Sequence, residues 1–302
     1  MDFLNQTIGK YKLIRLIGEG GMAYVYEGVH ERLGTRVAVK ILNPVLSVNE
    51  QIRIRFENEV KLLASLDHPN IIKVIDYDEA PGRLAIIMEY LSGSDLNRIL
   101  NSGKEISFEK INRLFVQIMS AFQYAHRNGI VHRDIKPSNI FITENDQVKI
   151  LDFGIAKIYG TGADMTSTGT QMGTPVYMSP EQVKGDRSID HRSDIYSLGV
   201  TFFTMLNGKP PYDTVNTSQF EIFNQIVYQA LPALSRCQEF EAFIAKAVQK
   251  DRELRYQSID EMMIAFDAVD PNAFSSKTKT RNTADLVRKG GAGNSSERDS
   301  KE

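Results

Sequence analysis

The stretch His132-Arg133-Asp134-Ile135-Lys136-Pro137-Ser138-Asn139 places an imidazole, a carboxylate, an ammonium and an amide within one short segment. Apolar runs lie on both sides of it, at residues 129–131 and 140–142. A polar loop held between buried segments is a common place for catalytic groups. We therefore take this stretch as the first candidate for a functional site.

Three side chains of the stretch have the chemistry that phosphoryl transfer requires. Asp134 can accept a proton, Lys136 can neutralise an oxyanion, and Asn139 offers a metal ion a neutral oxygen. Enzymes catalyse phosphoryl transfer mostly by positioning and charge stabilisation, and these three side chains are of the types that such catalysis uses. A capped turn with a surface salt bridge is a serious competing explanation when the segment is considered alone.

The composition is that of an ordinary globular protein and gives no reason to expect nucleic acid as a partner. The chain has 302 residues, is 42% hydrophobic and 25% charged, and carries a net charge of −2. Its single cysteine, Cys237, cannot form an internal disulfide, which favours a reducing compartment. The sequence has no signal-peptide pattern and no apolar run long enough to span a bilayer. We therefore expect a cytoplasmic location.

The order of the predicted elements indicates an α+β fold. Short segments rich in Val, Ile and Tyr predict strands at residues 11–17, 23–29, 36–42, 71–76 and 84–89. Helical patterns occur at residues 50–66, 95–101, 108–127, 192–207, 218–229, 237–248 and 258–266. The boundary between the two parts falls near residues 90–93. Residues 271–302 contain hardly any large apolar side chain, and we expect them to be disordered.

A glycine-rich loop, Gly18-Glu19-Gly20-Gly21-Met22-Ala23, lies between the first two predicted strands. Glycines allow a backbone to approach phosphate closely. A dinucleotide-binding loop would be followed at once by a helix, and about 20 positions on by an acidic residue. Here a strand follows, and Lys40 stands near that distance. The pattern fits a flap over nucleotide phosphates, although a plain hairpin fits the loop better when it is taken by itself.

Helical periodicity selects a partner for Lys40. The ammonium group of a lysine on an apolar strand usually extends to water, whereas a functional lysine should have a carboxylate as its partner. In the helix over residues 50–66, Glu59 falls on the apolar stripe, three residues after Phe56 and four before Leu63. Glu57 projects away from that stripe. Because a charge on a buried stripe is costly unless it is paired, we assign Glu59 to Lys40.

With Asp152-Phe153-Gly154 added to these motifs, the sequence resembles the eukaryotic-like (Hanks-type) protein kinases, most closely the bacterial serine/threonine kinases. The resemblance covers residues 11–266. It implies a bilobal fold: a small lobe of antiparallel β-sheet with one helix (residues 1–90) and a larger, mainly helical lobe (residues 91–270). Residues 271–302 form the predicted tail.

The resemblance also implies a role for each motif residue. Lys40 holds the α- and β-phosphates of ATP and is fixed by Glu59, Asp134 accepts or orients the substrate hydroxyl, and Lys136 lies by the γ-phosphate. A lysine at position 136 is typical of serine/threonine specificity. Two further residues, Asp152 and Asn139, bind Mg²⁺, with Mn²⁺ as an alternative. The residues implied to surround the nucleotide are Ile17, Gly18, Glu19, Gly20, Gly21, Met22, Ala23, Val25, Ala38, Lys40, Met88 (the gatekeeper), Glu89 and Leu91 (the hinge), Asp95 and Phe141.

The segment from residue 152 to residue 181 matches the family's regulatory and substrate-receiving segment. It ends in Gly-Thr-Pro-Val-Tyr-Met-Ser-Pro-Glu, with Ser179 in place of the usual alanine. Thr174 is expected to bond with Asp134 and Lys136. Upstream hydroxyls predict autophosphorylation, mainly at Thr166 and Thr168, and Arg133 is a basic group that could pair with the phosphate. Thr170 is a further candidate site, and a merely flexible polar loop is the alternative.

Two structural roles complete the larger lobe. Asp194 opens an apolar helix and, by resemblance, anchors the catalytic loop near His132, which is best read as a core residue. Arg255 is expected to pair with Glu181. This substrate-lobe pattern disfavours a small-molecule phosphotransferase, and the complete set of motif residues disfavours a nucleotide-binding pseudokinase. The implied partners are ATP and proteins with Ser or Thr hydroxyls. The resemblance also allows a homodimer for trans-autophosphorylation, and a place as the cytoplasmic part of a longer membrane-anchored kinase.

Overall fold

The fold begins with a twisted antiparallel sheet. The computed structural model describes residues 3–80, 82–152 and 175–270. The sheet consists of β1 (Thr7–Ile8), β2 (Tyr11–Glu19), β3 (Ala23–His30), β4 (Arg36–Leu42), β5 (Val74–Ala80) and β6 (Arg83–Glu89). Its strand order is β1-β2-β3-β4-β6-β5, and all described pairings are antiparallel. The strand β4 therefore lies inside the sheet, where alternate side chains face opposite sides.

Two helices accompany this sheet. The helix α2 (Glu50–Ser65) starts at Asn49, whose side chain accepts from the backbone N–H groups of the first turn. It packs its apolar face, including Phe56 and Leu63, into the same core cluster as Ala38 and Met88. A short helix α1 (Pro44–Ser47) precedes it. The prediction of a single helix in this lobe missed α1, which Asn43 caps and which has proline at its first position.

The second part of the chain is mainly helical. It contains a small sheet of β7 (Gly93–Asp95), β8 (Ile140–Thr143) and β9 (Val148–Ile150). The helices are α3 (Leu96–Asn101), α4 (Phe108–Arg127), α5 (Pro180–Val183), α6 (Arg192–Asn207), α7 (Gln219–Tyr228), α8 (Glu241–Ala247) and α9 (Ile259–Val269). None of the helices within the described ranges is both long and apolar enough to cross a membrane.

The core of this part is built around α6, whose residues 193–206 are all buried. Rings of Phe115, Phe202, Phe243 and Phe266 pack together with centroid separations of 4.2–6.4 Å. The helix α6 ends at Gly208, whose φ of 71° is the left-handed conformation that glycine adopts without strain. This buried scaffold supports residues 132–139, the candidate catalytic stretch, through contacts made at the start of α6.

Two predicted boundaries were wrong for identifiable reasons. The strand predicted from residue 71 begins only at Val74, because the backbone around Ile71 pairs instead with Ile150 on β9. The Ile72 N–H donates to the Ile150 carbonyl, and the Ile150 N–H donates to the Asn70 carbonyl, at 2.9 Å each. The helix predicted from Cys237 begins as a 3-10 turn over Gln238–Phe240, because Cys237 has a φ of 57°. Both departures come from contacts that local periodicity does not report.

Candidate active site

Three segments that are distant in sequence meet around one ammonium group. Lys40 lies on β4, Glu59 on α2, and Asp152 two residues after β9. The Lys40 Nζ atom is 2.8 Å from Glu59 Oε1 and 2.7 Å from Asp152 Oδ1. Glu57 instead forms an ion pair with Arg53 at 3.5 Å. The contact between Lys40 and Glu59, selected by helical periodicity, is therefore present.

Electrostatics keeps this lysine charged. Burial alone would lower the pKa of Lys40, but the charges of Asp152 and Glu59 outweigh burial and raise the pKa above its usual value. The protein atoms packed around the inner part of Asp152 oppose its ionisation, although the side chain is partly exposed, yet the neighbouring Lys40 lowers the pKa of this carboxyl. The pKa of Glu59 is raised because its burial outweighs the attraction of Lys40. Lys40 is thus a fixed cation shared between two carboxyl groups.

The catalytic stretch brings together the three groups singled out in the sequence. The Lys136 Nζ atom lies 2.9 Å from Asp134 Oδ2. The Asn139 side-chain amide donates to the Asp134 carbonyl oxygen at 2.9 Å and to Asp134 Oδ2 at 3.3 Å. A 3-10 turn over Pro137–Asn139 sets this spacing. Asp134 is therefore a carboxylate held by a cation on one side and by an amide on the other.

A buried carboxylate at the start of α6 holds the backbone of this stretch. Asp194 is fully buried, and its two oxygens accept from the N–H groups of His132 and Arg133 at 2.8 Å each. His126 Nε2 lies 2.8 Å from the same carboxylate. His132 is buried edge-on against Phe122, and burial lowers its pKa. His132 is accordingly a neutral core residue, and Asp194 makes the anchoring contact that the family resemblance implied.

Oxygen atoms suited to a magnesium ion lie at the edge of the site. Asp152 uses one oxygen for Lys40, and its side chain remains 44% exposed. Asn139 gives its amide nitrogen to Asp134, which leaves its carbonyl oxygen as the available ligand. No group of three His, Cys, Asp or Glu side chains that could hold a metal occurs among the described residues. Divalent cations that bind together with substrate phosphates are often held by one or two carboxylates, so the chemistry of these two side chains suits such an ion.

The residues predicted to surround the nucleotide lie on both sheets and in the turns beside them. Gly18 and Glu19 end β2, Ala23 begins β3, and the Gly20 N–H donates to the Ala23 carbonyl at 3.0 Å across the turn. Ala38 lies opposite Met88 in the pairing of β4 with β6. The partly buried side chains that pack against this cluster include Ile17, Val25 and Leu91. Phe141 lies on β8, half-buried and paired with Asp95 of β7. The turn also contains Gly21 and Met22.

Two of the predicted pocket residues have structural partners that the sequence did not indicate. The Glu89 carboxylate lies 2.6 Å from Lys149 Nζ and accepts from the Lys73 N–H at 2.9 Å. Asp95 caps α3 by accepting from the Arg98 N–H at 2.9 Å. Lys149 lies three residues before Asp152, so the Glu89 pair ties the end of β6 to the strand that leads to the site.

The substrate-lobe ion pair is present and deeply buried. Glu181 at the start of α5 receives two guanidinium hydrogen bonds from Arg255, at 2.7 and 2.8 Å, and a third from Ser193 at 2.5 Å. Burial alone would raise the pKa of Glu181, but Arg255 lowers it below the usual value. The predicted residues that lie outside the described ranges are Phe153, Gly154, Thr166, Thr168, Thr170, Thr174 and the tail over residues 271–302.

Comparison with known proteins agrees with this geometry. The protein kinase domain family matches residues 11–265. The chain belongs to this family. It is 41% identical over 270 residues to a probable serine/threonine-protein kinase of Streptomyces coelicolor, covering 86% of this chain and 40% of that protein. It is 36% identical over 262 residues to the serine/threonine-protein kinase PknB of Mycobacterium tuberculosis, covering 84% of this chain and 42% of that protein.

Solved structures of protein kinase domains have the same fold as this chain. The PknI kinase domain of M. tuberculosis superimposes with a TM-score of 0.69 at 26% identity, covering 88% of this chain and 98% of that domain. The α+β fold class and the resemblance to bacterial serine/threonine protein kinases are confirmed. Both of these curated relatives are named as serine/threonine-protein kinases. The chain spans about 40% of the length of the curated relatives.

Sequence reasoning missed several residues that hold the site together. Examples are Asn70, which donates to Gln117 and to the Val148 carbonyl at 3.0 Å each, and Gln182, which contacts the catalytic stretch. These are uncharged side chains with no periodic or spacing signal. Only the folded arrangement reveals their partners.

Proposed function

We propose that this chain transfers the γ-phosphate of ATP to serine and threonine hydroxyls of proteins. The observation that carries the proposal is the shared Lys40 ammonium between Glu59 and Asp152, next to a catalytic stretch that presents Asp134 with Lys136 and Asn139 in contact. This combination provides phosphate binding, metal ligands and a base in one place.

Each residue has a distinct proposed part in the transfer. Asp134 orients the attacking hydroxyl and takes up its proton, as a carboxylate within hydrogen-bond reach can. Lys136, 2.9 Å from Asp134, neutralises charge on the transferred phosphoryl group. Lys40 holds the α- and β-phosphates, and Glu59 keeps its ammonium from moving. Magnesium, when bound, would supply further neutralisation of phosphate charge, and Asp152 and Asn139 are the residues that would hold it.

The choice of metal belongs to this proposal. The oxygen-only ligands favour Mg²⁺, and Mn²⁺ can use the same ligands. We therefore expect activity with either ion and loss of activity when EDTA removes both. Ca²⁺ prefers longer bonds and more ligands, so it should support transfer poorly.

Activation by autophosphorylation is a further part of the proposal. The candidate hydroxyls are Thr166 and Thr168, with Thr170 next, and all three precede the segment that receives the substrate. Arg133 lies beside the catalytic aspartate, and its guanidinium donates to the Ile189 carbonyl at 3.3 Å, which leaves further donors for a phosphate. Phosphopeptide mapping of active enzyme tests the sites. Unchanged activity in the Thr166→Ala/Thr168→Ala variant would show that modification there is incidental.

The partners and location follow from the same reasoning. We propose ATP and Ser/Thr-containing proteins as substrates, and a homodimer in which one copy phosphorylates the other. Wild-type chain mixed with the Asp134→Asn chain tests this: label on Asp134→Asn supports transfer between copies, whereas an Asp134→Asn chain that stays unlabelled contradicts it. We propose that the domain acts in the cytoplasm, and the greater length of its relatives fits a role within a larger, membrane-anchored kinase.

Incubation with Mg-ATP tests the proposed function directly. Isotopically labelled ATP, the chain and a generic protein substrate are combined, and phosphoamino acids are identified after hydrolysis. We expect label on serine and threonine of the substrate and of the chain itself. Nucleotide binding without transfer, with either Mg²⁺ or Mn²⁺, would make the chain a nucleotide-binding scaffold and refute the proposal.

A further inference from the structure

The residue immediately before the catalytic aspartate has an unfavourable backbone conformation. Arg133 has a φ of 65°, in the left-handed region that residues with a Cβ atom rarely adopt. Such a conformation persists only where contacts with the surrounding structure hold it in place. Asp194 accepts from the Arg133 N–H at 2.8 Å, which fixes one side of this residue. The carbonyl on the other side requires a partner of its own.

That partner is the side chain of Gln182, at the start of α5. Its Nε2 donates to the Arg133 carbonyl at 2.7 Å, and its Oε1 accepts from the Ser179 N–H at 2.9 Å. A carbonyl can only accept and a backbone N–H can only donate, so one orientation of the amide satisfies both contacts. The Gln182 side chain therefore connects the end of the substrate-receiving segment to the catalytic stretch.

The serine that replaces the usual alanine belongs to this connection. Ser179 is fully buried, and its Oγ accepts from the Gln182 N–H at 3.4 Å. In return, the Gln182 Oε1 accepts from the Ser179 N–H. This reciprocal arrangement is a capping box, which fixes the rotamer of Gln182. The neighbouring Glu181 is held by Arg255, so the base of α5 is rigid. The Arg133 carbonyl is thus tied to a buried, immobile element.

We propose that Gln182 is a positioning residue for the phosphoryl-transfer reaction, oriented by Ser179 and acting through the Arg133 carbonyl on the geometry of Asp134. The inference rests on the proposed function. Gln182 has no described contact with Lys40, Glu59 or Asp152. Its loss should therefore slow the transfer step and leave ATP binding intact.

Three substitutions at position 182 separate the contacts. Gln182→Met keeps the side-chain length and removes both hydrogen bonds. Gln182→Glu keeps the acceptor for Ser179 but turns a carboxylate oxygen towards the Arg133 carbonyl. Gln182→Lys restores a donor for that carbonyl and lacks the acceptor. The matched control is Gln229→Glu, at an exposed glutamine that follows α7.

Steady-state kinetics and hydrogen exchange provide the readouts. Of the two hydrogen bonds that Gln182→Met removes, only the one to the Arg133 carbonyl touches the catalytic stretch, and losing one hydrogen bond corresponds to roughly a tenfold effect. Gln182→Met should therefore lower kcat about tenfold, with the KM for ATP within about twofold of wild type. Gln182→Glu should lower kcat further, Gln182→Lys should recover part of the loss, and Gln229→Glu should match wild type. Deuterium uptake by peptides covering residues 129–140 should rise in Gln182→Met and Gln182→Glu.

The alternatives give different results. A kcat within about twofold of wild type in Gln182→Met would overturn the inference, as would a loss explained fully by a smaller folded fraction. A KM for ATP that rises in step with the fall in kcat would also overturn it. If the wild-type chain transfers no phosphate, the proposed function fails. The exchange measurement then still decides whether Gln182 fixes the catalytic stretch, since unchanged uptake in Gln182→Met would contradict it.

Discussion

Replacement of Arg255 by methionine is expected to destabilise the larger lobe strongly. The Arg255 side chain is completely buried and makes two hydrogen bonds with Glu181, at 2.7 and 2.8 Å. It also donates to three backbone carbonyls, those of Gln249, Lys250 and Arg192, at 2.7–3.2 Å. Methionine fills much of the same volume but leaves the Glu181 carboxylate buried without its cation, along with three carbonyls that have lost a donor.

The size of the effect follows from these contacts. Removing one partner of a buried ion pair costs about 3–5 kcal/mol, because an uncompensated charge remains. Each kcal/mol shifts the melting temperature of a domain of this size by roughly 2–4 °C, so Arg255→Met should melt roughly 6–20 °C below wild type. The chain has no tryptophan, so unfolding is best followed by far-UV circular dichroism.

Two controls make this prediction specific. Arg15→Met removes a partner at a similar distance, 2.8 Å from Glu27, but the Arg15 side chain is 63% exposed, and the melting temperature should stay close to wild type. The double variant Arg255→Met/Glu181→Met replaces both charges and should be more stable than Arg255→Met alone. An Arg255→Met melting temperature within about 2 °C of wild type, or a double variant less stable than the single, would refute the reasoning.

Three further predictions concern other parts of the domain. Glu59→Gln should lower kcat/KM by about tenfold or more, because Lys40 loses a buried partner. Kinetic assays of Glu57→Gln should give nearly wild-type values, and equal losses in the two variants would contradict the Glu59 assignment. The pKa of Glu181 lies below its usual value of 4.5, so its ionised form stabilises the fold above that pH and the contribution is lost as pH falls through the lowered pKa. In urea titrations, the difference in free energy of unfolding between wild type and Glu181→Gln should therefore narrow below pH 4.5 and stay constant above pH 6. A difference that widens in acid would contradict this prediction. Gly199→Ala should cost about 1–3 kcal/mol in the same titrations, because the added Cβ would lie 2.8 Å from side-chain atoms of Ala247 and Val248. An unchanged midpoint would contradict this prediction.

The fold and the centre of the site could be predicted because their signals are local. The pairing of Glu59 with Lys40 followed from helical periodicity, since a charge on the apolar stripe of α2 needs a buried partner. The catalytic stretch could be identified because its polar groups lie between apolar runs. The roles of Asp194 and Arg255 came only from the family resemblance, because a single aspartate or arginine carries no spacing signal.

The remaining features depend on contacts between distant segments. Ile71 and Ile72 have the apolar pattern of a strand, but their backbone pairs with β9, so β5 starts later. The link from Gln182 to Arg133 joins residues 49 positions apart through an uncharged amide. The short helix α1 did have a usable signal, because Asn43 followed by proline is a good helix start.

Replacement of Asp134 by asparagine is the most direct test of the central claim, that this chain transfers phosphate with Asp134 as the group that receives the hydroxyl proton. Asparagine keeps the shape of the side chain and cannot accept that proton as a carboxylate does. Calorimetry should give the same affinity for Mg-ATP as wild type, while phosphate transfer to a protein substrate falls about 10²–10⁴-fold. Full transfer activity in Asp134→Asn would contradict the account.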